Sequence, residues 1–231
     1  VYLDGKTRTN IKIVDEEKGE ITDINFPGLY CDRQSGDALK HMLEKLALAS
    51  QWFVLCGSLP PGLPDDYFAR TVGMLKSMGK FVALDTSGQA LKEAIEAKPD
   101  LIKPNISEFC EILDLQNPSF DEIVQGLMAL ASSGIKTVCL SAGERGALFA
   151  EGGRVILARP PKIDVLSTVG AGDAMVAGLI AGALLGQSLT ERAKLSTAFS
   201  ACALTKMGPG RTTRERVSSI MKDITIEEVK I

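Results

Sequence analysis

Residues 167–178, STVGAGDAMVAG, place an aspartate directly after a Gly-Ala-Gly turn and ahead of a long apolar segment. Gly170, Ala171 and Gly172 let the backbone turn freely, so that successive N–H groups can point at one place at the start of a helix. Such a place binds an anion, phosphate above all. Asp173 would then lie in the first helical turn, where its carboxylate can accept a proton. The alternative is that Asp173 only caps the helix and the glycines allow close packing.

Other catalytic and phosphate-binding motifs are absent from the sequence. The next glycine after Gly172 is Gly178, so GxGxxG is not met, and GxxxxGK[ST] occurs nowhere. The single histidine, His41, lies in an amphipathic segment, where we expect it at the surface. A Ser-His-Asp triad, a His-rich zinc site and a c-type haem site are therefore excluded. Chemistry here has to rest on carboxylates, Lys, Arg and backbone amides.

Composition narrows the class of protein further. The 231 residues are 45% hydrophobic and 24% charged, which is typical of a globular protein with a substantial core. The net charge is −3 and no Lys/Arg block occurs, so we expect no nucleic-acid partner. The longest apolar run, residues 174–186, is too short and too rich in glycine to span a bilayer, so no membrane partner is expected. Five scattered cysteines without CxxC spacing indicate reduced thiols and a cytoplasmic location.

Strands alternate with helices from residue 50 onward. This order predicts an α/β fold with a parallel sheet between two layers of helices. A short pair of strands follows residue 146, and three helices are expected to end the chain. Before residue 29, TRTNIKIV and ITDINF both alternate polar and apolar residues around DEEKGE, which predicts a β-hairpin.

Polar loops follow four of the predicted strands. They comprise residues 56–62, 85–88, 103–105 and 141–146. Turn chemistry alone explains any one of these loops, because Gly, Pro, Ser and Asn dominate loops in general. Carboxyl ends of parallel strands meet at one edge of a sheet, where ligands collect. Four such loops together therefore predict the rim of a binding site.

Five segments, STVGAGDAMVAG, KPNISE, SAGERGA, CGSLPPGLP and LDTSGQAL, resemble the blocks of the ribokinase and PfkB family of carbohydrate kinases, in the family's order. The resemblance covers essentially the whole chain and implies a ribokinase-like parallel-sheet sandwich with a small β-lid. Residues 1–28 would form part of the lid, and residues 29–231 the α/β domain that binds nucleotide and sugar. Members carry further strands and a sugar-binding acidic residue before the position of Val1, so we expect this chain to lack its N-terminal portion.

The resemblance implies an ATP-dependent sugar-phosphate kinase and assigns roles by position. Asp173 would be the base, and the amides of Gly170, Ala171 and Gly172 would hold the γ-phosphoryl oxygens. Glu108 would hold Mg²⁺ through water, and residues 199–210 would wall the adenine pocket. The ATP-binding residues would be Lys103, Asn105, Ser141, Ala142, Gly143, Glu144, Arg145 and Gly146.

The phosphate of the sugar substrate needs fixed positive charge, for which the candidates are Arg8, Lys12 and Ser58. Arg8 and Lys12 are four residues apart on an alternating strand, so we expect them on the same face. A guanidinium can grip phosphate through two hydrogen bonds, although Arg8 could instead be a solvated hairpin charge. In the family the lid covers the sugar and can join two subunits, which implies a homodimer through the β-lid.

Three functions remain open. TRTNIKI, TDINFPG and a serine, Ser167, before the threonine look most like members that convert fructose 1-phosphate to fructose 1,6-bisphosphate. A tagatose-6-phosphate kinase or a 6-phosphofructokinase of the same family has similar blocks. The third function is a non-catalytic nucleotide-binding module, which an intact Asp173 and anion site argue against.

Overall fold

The computed structural model describes residues 1–15, 20–206, 208 and 211–229. Within these residues, strands β1 (Ile11–Asp15) and β2 (Glu20–Ile24) form an antiparallel hairpin with Ile11 opposite Ile24. The hairpin is a separate two-stranded sheet. It falls inside the segment expected to form part of a lid.

A seven-stranded sheet forms the centre of the fold, and its strands lie side by side in chain order. The strands are β3 (Trp52–Cys56), β4 (Phe81–Asp85), β5 (Leu101–Ile102), β6 (Thr137–Ser141), β7 (Ala147–Glu151), β8 (Arg154–Arg159) and β9 (Thr225–Val229). The helices are α1 (Arg33–Leu46), α2 (Tyr67–Ser77), α3 (Gly88–Glu96), α4 (Ile106–Leu113), α5 (Phe120–Ser132), α6 (Ala171–Leu184), α7 (Leu189–Leu204) and α8 (Arg214–Asp223). Strands β3 to β6 run parallel, so their carboxyl ends share one edge of the sheet.

Helices cover both faces of the sheet. Successive residues of a buried strand point to opposite faces. Val138 and Leu140 of β6 pack into the core formed with α1–α5, whereas Cys139 packs into the core formed with α6–α8. The predicted sandwich is confirmed. In the part of the chain that the structure describes, no helix combines the length and apolar character that a membrane crossing needs.

The far end of the sheet differs from the prediction, because β7, β8 and β9 pair antiparallel and β9 follows the last helix. Gly152 and Gly153, with φ of 59° and 78°, form the two-residue turn that joins β7 to β8. The segment TIEEV carries two acidic residues, and its pairing with β8 stabilises it as a strand. That pairing includes two ion pairs, Arg154–Glu228 at 2.8 Å and Arg159–Glu227 at 2.6 Å.

Close packing against α7 fixes the position of α6. A Cβ added to Gly178 would lie 2.6 Å from the Cα of Ser196, so the two backbones approach at this glycine. Helix α7 is in turn tied to the sheet, because the buried Arg192 donates to Glu151 of β7 at 2.7 Å. These contacts fix the helix whose first turn carries Asp173.

We predict that Gly178→Ala lowers the free energy of unfolding by about 1–3 kcal/mol, because the added methyl forces α6 and α7 apart. The control is Gly73→Ala in α2, where a Cβ would meet no atom within 4 Å. That change should raise the free energy of unfolding by roughly 0.5–1 kcal/mol, since alanine favours the helix. Urea unfolding of both variants measures the two effects. A Gly178→Ala protein as stable as wild type would show that this contact does not fix α6.

Candidate functional site

Helix α6 begins without a side-chain cap. Its N-cap residue, Gly170, has a left-handed φ of 78°, and no side-chain hydrogen bond caps the helix there. The first N–H groups of any helix lack acceptors inside the helix, and they carry the positive end of its dipole. The amide of Ala171 makes a long contact of 3.4 Å to the carbonyl oxygen of Thr168. This first turn is suited to bind an anion.

Two acidic side chains and a thiol converge beside this turn. The ligand atoms of Asp173, Asp85 and Cys56 lie within 4.8 Å of one another. Cys56 ends β3, Asp85 ends β4, and Asp173 lies in the first turn of α6. The sequence places Cys56 and Asp85 in two of the polar loops predicted to form the rim of a binding site, but it assigns no role to either residue. The signal for such a role is that the two loops follow neighbouring parallel strands.

Lys103 supplies the positive charge of the cluster. Its Nζ lies 3.2 Å from Oδ1 of Asp85, and the side chains of Lys103 and Asp85 are 8% and 16% exposed. A Cβ added to Gly172 would lie 3.3 Å from this Nζ, so the ammonium rests against the start of α6. Burial raises the pKa of Asp85 and the charge of Asp173 raises it further, while Lys103 lowers it.

The Cys56 thiol is neutral near pH 7. Desolvation of its sulfur, with smaller contributions from the carboxylates of Asp85 and Asp173, raises its pKa to about 11 against the opposing effect of Lys103. Because the thiolate is the nucleophilic form, Cys56 is not an activated nucleophile. Because Cys56 is a neutral thiol and Asp85 is paired with Lys103, the carboxylate of Asp173 is the candidate proton acceptor of the cluster.

Asn105 and Glu108 cap α4 reciprocally. The amide of Glu108 donates to Oδ1 of Asn105, and the amide of Asn105 donates to Oε2 of Glu108, both at 2.9 Å. Burial raises the pKa of Glu108, while the Asn105 amide and Lys103 lower it. The capping bond uses one of the two carboxylate oxygens. A carboxylate of this kind suits Mg²⁺, which prefers oxygen ligands and keeps most of its water.

The loop after β6 faces α7. It forms one 3-10 turn, Gly143–Arg145, closed by a hydrogen bond from the amide of Ala142 to the carbonyl of Gly146 at 2.9 Å. Between this loop and α7 lies a small cavity of ≈ 30 Å³. Thr197 lines the cavity, and its buried hydroxyl has no hydrogen-bond partner among the described residues. Thr197 precedes residues 199–210 and is absent from the sequence-based prediction.

Two of the three predicted phosphate ligands of the sugar site are in contact. Nη2 of Arg8 donates to Oγ of Ser58 at 3.4 Å, two residues beyond Cys56. Arg8 precedes β1, which begins at Ile11, so the expectation that it shares a strand face with Lys12 is wrong. The hairpin pairing stops at Ile11–Ile24, and the strand does not reach Arg8. The side chain of Lys12 lies outside the described part of the structure.

The arrangement of these groups suits the transfer of a phosphoryl group. The start of α6 and Lys103 supply positive charge, and Asp173 supplies a proton acceptor beside them. The predicted site residues Gly170, Gly172, Lys103 and Asp173 meet at the start of α6, whereas the contacts described for Glu108 are those to Asn105 at the start of α4. The role of each residue remains a proposal.

Comparison with known proteins supports this interpretation. Residues 1–216 match the model of the pfkB family carbohydrate kinases. The chain is 42% identical over 226 residues to a 1-phosphofructokinase of Rhodobacter capsulatus, covering 97% of this chain and 72% of that protein. It is 34% identical over 227 residues to the 1-phosphofructokinase of Escherichia coli K12, with coverage of 97% and 72%.

Solved structures show the same fold. A possible 1-phosphofructokinase from Thermotoga maritima superposes with a TM-score of 0.89 at 27% identity, covering 100% of this chain and 73% of that one. Phosphofructokinase-2 from Escherichia coli in complex with potassium gives a TM-score of 0.85 at 27% identity, with coverage of 94% and 71%. The chain thus spans about 72% of the length of the curated relatives it matches.

We predict that Cys56 reacts slowly with iodoacetamide at neutral pH, and that the rate rises about tenfold per pH unit toward a pKa of about 11. The Asp85→Asn variant should react faster at pH 8, because one of the charges that raise the thiol pKa is gone. Mass spectrometry of the peptide that carries Cys56 measures the rate, with the Cys110 peptide as internal standard. A rate independent of pH from 7 to 9 would contradict the described surroundings of the thiol.

Proposed function

Because the chain belongs to the pfkB family of carbohydrate kinases, we propose that it transfers the γ-phosphoryl group of ATP to fructose 1-phosphate. The products are fructose 1,6-bisphosphate and ADP. Family and relatives make the chain an ATP-dependent sugar-phosphate kinase, and the choice of sugar is the proposal. The observation that carries the chemistry is the meeting of a carboxylate, a lysine ammonium and an uncapped helix N-terminus at one edge of the sheet.

Asp173 acts as the base. The free hydroxyl of the sugar attacks the γ-phosphorus, its proton passes to the Asp173 carboxylate, and the bond to the leaving oxygen of ADP breaks. A sugar hydroxyl is a weak acid, so the proton moves late, when the transferring group resembles metaphosphate. In support of this role, Asp173 lies in the first turn of α6, the same turn whose amides are proposed to receive the phosphoryl group.

The start of α6 holds the γ-phosphoryl group. The amides of Gly170, Ala171 and Gly172 donate to its oxygens, and the Lys103 ammonium lies against the same turn. These donors are fixed before the reaction begins, so charge that develops on the oxygens is stabilised without reorganisation. The long contact of the Ala171 amide to Thr168 is readily exchanged for a phosphoryl oxygen.

The remainder of ATP lies along the sheet edge. Asn105 and Lys103 orient the triphosphate, and residues 141–146 follow the phosphates and ribose toward the cavity at α7. The small side chains of α7 form the wall of the adenine pocket. Glu108 would hold Mg²⁺ through water, and the ion would neutralise charge on the phosphate oxygens.

The hairpin covers the sugar and joins two subunits. Arg8, Ser58 and Lys12 bind the phosphate already present on the sugar, for which the Arg8–Ser58 contact is the supporting observation. Ile11, Ile13 and Ile24 are 45%, 52% and 41% exposed and share one face of the hairpin. An apolar face of this kind favours a homodimer through the β-lid.

The five free cysteines favour the reducing environment of the cytoplasm.

We predict that, with ATP and Mg²⁺, the protein has a higher kcat/KM for fructose 1-phosphate than for fructose 6-phosphate or tagatose 6-phosphate. The two other sugars are included because relatives of the same fold differ in their sugar substrate; phosphofructokinase-2, for example, has this fold and is 27% identical to the chain. In Arg8→Ala, loss of a charge-assisted contact should raise KM for fructose 1-phosphate about ten- to a hundredfold and leave KM for ATP unchanged.

A coupled assay that follows ADP release measures both proteins with all three sugars. Arg33→Ala is the matched control, because Arg33 is an exposed arginine whose contact is to Asp37 within its own helix. A higher kcat/KM for fructose 6-phosphate or tagatose 6-phosphate would overturn the proposal that fructose 1-phosphate is the substrate. An unchanged KM for fructose 1-phosphate in Arg8→Ala would show that residues other than Arg8 bind the phosphate of the sugar.

A further inference from the structure

Asp85 has no part in the phosphoryl transfer as derived above, although it is among the most buried acidic groups of the site. Its carboxylate ends β4 and pairs with Lys103 at 3.2 Å. Desolvation of two charges is costly, and a buried pair of this kind is weak evidence for a gain in stability. A gain in stability therefore does not explain why Asp85 and Lys103 are buried together, and a role in the site is the alternative.

Lys103 would be poorly placed without this partner. A lysine side chain has a flexible four-carbon stem. Its ammonium rests against Gly172, where the positive end of the α6 dipole repels a cation. A Cβ on Gly172 would lie 3.3 Å from Nζ of Lys103 and 3.9 Å from Oδ2 of Asp85, so both charged groups reach the same small gap.

The backbone places the two residues side by side. The amide of Lys103 bonds to the carbonyl of Leu84 at 3.3 Å, which aligns the end of β5 with the end of β4. Asp85 is thus one residue beyond the acceptor, on the neighbouring strand. Asp173 lies within 4.8 Å of the Asp85 carboxylate, but as the proposed base it is engaged with the sugar hydroxyl. Asp85 is the remaining carboxylate of the cluster that can hold Lys103.

We propose that Asp85 is a positioning residue that holds the Lys103 ammonium at the start of α6, where the γ-phosphoryl group is received. This inference rests on the proposed function, because it takes Lys103 as a ligand of the transferring group. Asp85 itself touches neither the sugar nor the phosphoryl group. It acts by keeping one rotamer of Lys103 in place against the repulsion of the helix.

The test is a double-mutant cycle with Asp85→Asn, Lys103→Met and the double variant, measured as kcat/KM for ATP. Asp85→Asn alone should lower kcat/KM about a hundredfold, the order of loss that follows from a displaced catalytic contact. In the Lys103→Met background the same change should have little further effect. Equal losses in both backgrounds would show that Asp85 acts directly and would overturn the proposal.

Asp100→Asn is the matched control. Asp100 pairs with Lys76 at 2.6 Å and also accepts the Val82 amide, so the change likewise removes a largely buried carboxylate from a Lys–Asp pair. It should lower the thermal midpoint and leave kcat/KM unchanged. If Asp85→Asn does not fold, Asp85→Glu replaces it: the charge is kept but displaced by one methylene, and kcat/KM should still fall. A wild-type kcat/KM in folded Asp85→Glu would contradict the proposal.

A second readout does not depend on activity. Lys103 should be acetylated by acetic anhydride faster in Asp85→Asn than in wild type, because the side chain loses the partner that holds it in place in the buried gap beside Gly172. Mass spectrometry of the Lys103 peptide measures this rate, with the Lys76 peptide as reference. An unchanged rate would overturn the Asp85–Lys103 inference even in an active enzyme. If the wild-type protein has no kinase activity but Lys103 is still labelled faster in Asp85→Asn than in wild type, the proposed function is refuted and the Asp85–Lys103 inference stands.

Discussion

Backbone amides at the start of α6 need acceptors that the helix does not contain, and the rest of the site depends on this need. Gly170, in a left-handed conformation, turns the chain without a capping side chain. Gly172 leaves space for the Lys103 ammonium, and Gly178 lets α6 approach α7 until the backbones are in contact. Three glycines thus expose one helix N-terminus, bring a cation to it and fix its position.

The charges around that N-terminus oppose one another. A cation at the positive end of a helix and two carboxylates within 4.8 Å of each other would both be unfavourable alone. Lys103 offsets the repulsion between the two carboxylates, because it pairs with Asp85. This pairing lowers the pKa of Asp85, which burial and the charge of Asp173 raise. In the proposed function, the triphosphate of ATP is the ligand whose negative charge the helix and the ammonium favour.

The sequence predicts the parts of the site that lie within a single segment. Gly170, Gly172 and Asp173 are neighbours in the chain, and a turn before a helix determines how they lie. Asp85 and Cys56 come from different strands, and their proximity depends on the order and register of β3 and β4. A residue pattern along one segment carries no information about that register, so the ion pair with Lys103 could be seen only in the structure.

The same limit applies to the fold. The alternation of strands and helices predicts the sandwich, because each element shows its own periodicity. Strand β9 is stabilised by ion pairs to β8 from residues about 70 positions earlier in the chain, such as Arg154 with Glu228. The hairpin is predicted, but its bounds depend on where pairing stops, and this removes Arg8 from the strand.

Asp173→Asn tests the central claim most directly, because it removes the base while it keeps the shape of the first turn of α6. The dissociation constant of a non-hydrolysable ATP analogue and kcat with fructose 1-phosphate are measured on the same preparation. The dissociation constant should stay close to the wild-type value, since the amides and Lys103 are unchanged. The turnover number should fall roughly 10²–10⁴-fold, the usual contribution of a general base. A variant that turns over at nearly the wild-type rate would contradict the assignment of Asp173 as the base.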